Sequence, residues 1–109
     1  MKKFLILITL CLSSIIAKSQ VVVLHFNAGW NKTNNVEWIK NLTDCDIEFV
    51  DIAKQDKLKK KYSIVVVPTV ILLQYDEEKK RYQADLSFKL TATKEEVQEK
   101  IDELILSGF

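Results

Sequence analysis

Apolar and polar residues alternate in distinct ways along the chain, and each pattern predicts an element. Residues 4–16 are predominantly apolar, follow Met1, Lys2 and Lys3, and lead into the small residues Ala17 and Ser19. A basic start, an apolar stretch and small residues at the cut are the layout of a secretory signal peptide, with cleavage expected before Gln20. The stretch is shorter than the roughly 20 residues that span a bilayer. The chain is therefore expected to divide into a leader, residues 1–19, and one domain, residues 20–109. An exported protein, periplasmic or secreted, follows, and membrane attachment is expected only if the leader is retained.

Residues 21–26 carry too little polar alternation for a surface strand and read as a central strand covered on both faces. A helix is expected to open at Asn31 to Asn34, with asparagine and threonine capping its first turn and Glu37 three residues past Asn34. Val36, Ile39 and Leu42 share its apolar face. Residues 47–52 alternate as a second strand, parallel to the first because a helix intervenes. A lysine-rich helix is expected over about residues 53–62. Pro68 cannot donate to a sheet ladder and belongs at a strand's start, so residues 69–75 form the third strand. A turn at residues 76–79 leads to an antiparallel fourth strand, residues 81–88. Thr93 and Glu96 form a capping box for a last helix with Val97, Ile101, Leu104 and Ile105 on one stripe, an ion pair from Glu96 to Lys100, and Gly108 at its end.

The predicted order is β-α-β-α-β-β-α: an α/β fold with a four-stranded mixed sheet and helices on both faces. Composition changes this picture little. In 109 residues with net charge +1 there is room for one domain and no electrostatic footprint for nucleic acid. Of the two cysteines, Cys11 lies in the leader, which leaves Cys45 as the mature chain's thiol and no internal disulfide.

Ala28, Gly29 and Trp30 follow the first strand and precede Asn31, Lys32, Thr33 and Asn34, while Val67, Pro68 and Thr69 open the third strand. These two motifs, in this order, resemble those of the thioredoxin family, which carries Ala-x-Trp, then Cys-x-x-Cys, then a helix, with a cis-proline in a later Ile/Val-Pro-Thr. The resemblance implies the minimal thioredoxin fold and a cis bond before Pro68. It also implies that Asn31 and Asn34 stand where the family has its two cysteines. No dithiol–disulfide enzyme is expected, because that chemistry needs a thiolate at a helix N-terminus and a second thiol to resolve the mixed disulfide.

Trp30, Asn31, Lys32, Thr33, Asn34, Val67, Pro68 and Thr69 are then the candidate surface for a protein or extended peptide, with backbone groups around Val67 and Pro68 expected free to pair with it. No cofactor and no metal are expected, since His25, the lone histidine, has no second ligand at metal spacing. His25 reads as a neutral core residue. Two other functions remain open: one-cysteine chemistry or an intermolecular disulfide through Cys45, and a structural role in a larger assembly. Asp44 and Asp46 beside Cys45 disfavour its thiolate. Asn31-Lys32-Thr33 and Asn41-Leu42-Thr43 match the glycosylation sequon.

Overall fold

The computed structural model describes residues 20–108; the expected leader lies outside them. Strand β1 (Val21–Asn27) is followed by two 3-10 segments, Gly29–Asn34 and Glu37–Asn41, and then by strand β2 (Asp46–Asp51). Helix α1 (Asp56–Lys61), strands β3 (Thr69–Gln74) and β4 (Glu77–Gln83), and helix α2 (Lys94–Ser107) complete the domain. The sheet order is β2-β1-β3-β4, with the first strand inside the sheet as expected. β1 runs parallel to β2 and antiparallel to β3, and β3 runs antiparallel to β4.

Alternation along β1 sends its side chains to two cores. Val21 and Val23 join Val36, Ile39 and Leu42 of the 3-10 region and Val97, Ile101 and Leu104 of α2. Leu24 and Phe26 join Val50, Ile64, Val67, Ile71 and Leu73, with Leu58 and Tyr62 of α1 packed against them. Thus α2 and the 3-10 region cover one face of the sheet and α1 the other. At α2 the capping residue behaves as its sequence predicts: Thr93 Oγ1 accepts from Glu96 N at 3.2 Å. The expected ion pair from Glu96 is not formed; Lys100 instead reaches Glu103, at 3.2 Å.

Three further expectations are corrected. The first helix is two 3-10 segments, the first kinked within itself at Asn31 (φ −110°, ψ 21°), and Val36, not Asn34, precedes the second segment without a side-chain cap. Its asparagines bond one another, a competition that disfavours regular helix. The hairpin turn lies at Tyr75 and Asp76, whose φ values of 51° and 66° fit a two-residue turn with both residues left-handed. Neither residue is glycine or asparagine, so no sequence signal marked it. β4 accordingly starts at Glu77 and ends at Gln83, five residues earlier than expected, and α1 is shorter than the lysine run suggested.

Candidate functional site

The carboxyl end of β1 delivers Asn27 into a buried amide network. Asn31, only 4% exposed, donates through Nδ2 to Asn27 Oδ1 at 3.1 Å, and Asn27 Nδ2 donates back to Asn31 O at 3.1 Å and also to Asn35 Oδ1. Asn34 Nδ2 donates to Asn31 Oδ1 at 2.7 Å. The Asn31 amide also lies 3.4 Å from Val67 O and 3.5 Å from Phe88 O. One side chain therefore touches three segments distant in sequence: the end of β1, the approach to Pro68, and the loop after β4. Capping was the expected task of Asn31 and Asn34; in the structure Ala28 stands at the N-cap, and the asparagine side chains bond each other.

The Val67-Pro68 peptide bond is cis. Val67, Pro68 and Thr69 are buried, Thr69 Oγ1 donates to Val66 O at 2.7 Å, and Pro68 O accepts from Ala84 N at 3.1 Å. The expectation of free backbone groups here is corrected for the carbonyls alone: those of Val67 and Pro68 already have partners within the chain.

The partner of Pro68 belongs to a loop that the sequence reading placed in a strand. Asp85 organises it, with Oδ1 accepting from Ser87 N at 2.9 Å, Ser87 Oγ at 2.6 Å and Lys89 N at 3.3 Å. The Ser87 hydroxyl, followed by the amides of Lys89 and Ser87, holds the Asp85 carboxyl below its usual range. Phe88, at φ 63°, lays its ring edge-on to Trp30, centroids 5.2 Å apart and planes at 87°. Trp30 remains 68% exposed and Phe88 43%. Lys32 and Thr33 are exposed beside them. Phe88 is the site residue that sequence reasoning missed; Asp85 two residues before Ser87 was the available signal, since such pairs close side-chain turns.

His25 is 2% exposed, and its Nε2 accepts from Val36 N at 3.1 Å, so the neutral ring holds the start of the second 3-10 segment. Burial pushes its imidazole below the ordinary value, against smaller opposing effects of its own backbone and of Glu37. A cleft of about 400 Å³ opens above it, lined by His25, Gly29, Lys32, Asn35, Phe49 and Asp51.

Cys45 is half-buried against the α2-side core, and burial, then Asp46 and Asp44, push its thiol up to about 11. It lies at the opposite end of the sheet from the asparagines. β2 pairs Asp46 with Val22 and Asp51 with Asn27, a separation of about 16 Å along the strands. Among the described residues, no group of three or more His, Cys, Asp or Glu is placed to hold a metal ion.

Solved structures of this shape are plentiful. Thioredoxin from Schistosoma mansoni matches with a TM-score of 0.61 at 24% identity over 84% of this chain and 85% of that one. Thioredoxin 1 from Thermosipho africanus gives 0.62 at 23%, over 81% and 99%. A mutant thioredoxin from Halobacterium salinarum gives 0.62 at 20%, over 78% and 74%. This is the thioredoxin fold. No protein-family model and no curated protein sequence matches the chain. At these identities the likeness to thioredoxins establishes architecture, and activity has to be argued from the site.

Proposed function

We propose that this is an exported thioredoxin-fold protein without dithiol chemistry, which binds other polypeptides through the surface around Trp30 and Phe88. The observation that carries the reading is the amide network at the turn after β1. Asn31 and Asn34 supply neither a nucleophile nor an electron carrier, and their side chains are spent on holding three segments together. Export rests on the composition of residues 1–19.

Binding at this surface is driven by side chains. Trp30 and Phe88 present adjacent apolar rings, and the nearby carbonyls of Val67 and Pro68 are engaged. Aromatic residues of this kind contribute most per contact at interfaces, because they cover much area for little lost conformational freedom. An unfolded chain displaying apolar side chains suits such a surface, and binding without covalent capture makes a holding or adaptor module. One-cysteine chemistry is disfavoured by the raised pKa of Cys45.

The test uses carboxymethylated α-lactalbumin, an unfolded chain with blocked thiols, as the probe. Trp30→Ala and Phe88→Ala are each expected to weaken binding about tenfold, the equivalent of ~1.4 kcal/mol, and Cys45→Ser is expected to leave it unchanged. Equal binding by all three variants and the parent would refute the site, and turnover of a disulfide substrate with a dithiol donor would refute the absence of dithiol chemistry.

A further inference from the structure

The carbonyls of Val67 and Pro68 are engaged, but main-chain pairing groups are available at the edge of the sheet. Among the described residues β2 is bonded on one side only, by β1. Ile52 N donates to Asn27 O at 3.0 Å, which sets the ladder's phase. In a parallel pair the residues bonded to the neighbour alternate with residues that face away. Asp46, Glu48, Val50 and Ile52 therefore turn their backbone groups to β1, and Ile47, Phe49 and Asp51 turn theirs outward. Asp51 O is taken by Lys54 N and Gln55 N, which leaves the amides and carbonyls of Ile47 and Phe49 facing outward.

The side chains along this edge are sorted by face. Asp46 and Glu48 are exposed on the α1 side, the side to which Val50 is buried. Ile47 and Phe49 lie on the α2 side, where Phe49 is 56% exposed and its ring is 5.0 Å from that of His25 at the cleft. Asp44 to Asp51 carries four acids and no base, in a chain whose net charge is +1.

We infer that the outer edge of β2 takes up an extended segment of another polypeptide in which basic and apolar side chains alternate. Main-chain bonds join it to Ile47 and Phe49, a basic side chain meets Glu48, and an apolar side chain lies on Phe49 at the mouth of the cleft. A second copy pairing β2 with β2 brings these acids against one another. Of the basic residues of β4, Lys79 is paired with Glu77 and Arg81 with Glu78, and Lys80 lies over the Tyr82 ring, 5.6 Å from its centroid. This surface is distinct from the Trp30–Phe88 surface and stands independently of the proposal made for it.

The experiment uses the full chain and an acetylated heptapeptide alternating lysine with valine, read by residue-resolved amide hydrogen exchange. The peptide is expected to slow exchange at Ile47 and Phe49, and Glu48→Lys and Phe49→Ala are each expected to weaken its binding about fivefold. N-methylation of the peptide's amides on one edge is expected to abolish binding. Equal binding of a glutamate–valine peptide overturns the proposal, as does protection confined to residues near Trp30 and Phe88. Ile47 and Phe49 amides already protected in the peptide-free chain also overturn it, because the edge is then occupied by this chain or by a second copy.

Discussion

Replacing Asn31 by alanine tests whether the amide network is structural. The substitution removes the donor to Asn27 Oδ1 and the acceptor of Asn34 Nδ2, together with the longer approaches to Val67 O and Phe88 O. A hydrogen bond contributes about 1 kcal/mol net, and a buried polar atom stripped of its partner costs about 1–3 kcal/mol. Asn27 is itself buried, so its Oδ1 has little access to replacement water. A loss of about 2–4 kcal/mol follows, a large share of the roughly 5–15 kcal/mol that holds a typical domain together. With a urea slope of about 1–1.5 kcal/mol/M, the unfolding midpoint drops by about 2 M.

Asn34→Ala is the internal comparison. Asn34 is half-buried and gives up one bond, so its loss is expected near about 0.5–1 kcal/mol. Urea unfolding of the parent and both variants, followed by far-UV circular dichroism, separates the cases. If Asn31→Ala unfolds within about 0.5 M of the parent, or Asn34→Ala costs as much as Asn31→Ala, the three-segment role assigned to Asn31 is wrong.

Stability is expected to fall on mild acidification because of His25. Burial holds its folded pKa below the ordinary 6.5, so the unfolded chain takes up the proton first; the contribution is complete above pH 6.5 and shrinks as pH falls through 6.5 toward the folded value. Urea midpoints on either side of that value, at about pH 7.5 and about pH 5.5, check this, with His25→Gln expected to flatten the difference and an unchanged parent midpoint counting against it. Cys45, raised from 9.0 to about 11, should alkylate slowly in the folded protein. Its thiolate fraction falls about a hundredfold and greater intrinsic nucleophilicity recovers part of that, for a net slowing of about tenfold relative to the unfolded chain, and equal rates in iodoacetamide labelling would contradict it. Asp85→Ala removes the acceptor that closes the loop after β4 and should mobilise Phe88, which shows as faster amide exchange at Ser87 and Lys89 with little change in global stability. Exchange at parent rates would mean that the Phe88–Trp30 contact alone fixes the loop.

Strands were legible in this sequence because burial dictates their composition. The apolar run at β1, the alternation at β2 and the proline before β3 each leave a mark that tertiary packing reinforces. The hairpin turn left none: Tyr75 and Asp76 adopt left-handed angles that neither residue type announces, held there by the register of β3 against β4. An error of a few residues at that turn then carried residues 84–88 into an expected strand and hid the loop that brings Phe88 to Trp30.

Asn31 and Asn34 were read as helix caps, and Asn27 and Asn35 were passed over. Asn27, Asn31 and Asn35 recur at intervals of four, which places them near one another wherever the chain between them coils. Viewed alone, Asn31 fits a helix cap, because an asparagine side chain satisfies a free backbone N–H as readily as it satisfies another amide. Burial decides between the two. A cap works at the solvent edge, whereas Asn27 and Asn31 are enclosed, and enclosed amides must find partners among themselves. The pattern of apolar positions gave no warning that a polar turn would be enclosed, since the cover comes from Phe88 and Val67, 57 and 36 residues away from Asn31. Where a polar cluster is roofed by segments so remote in sequence, its chemistry becomes readable only after the fold has brought the roof into place.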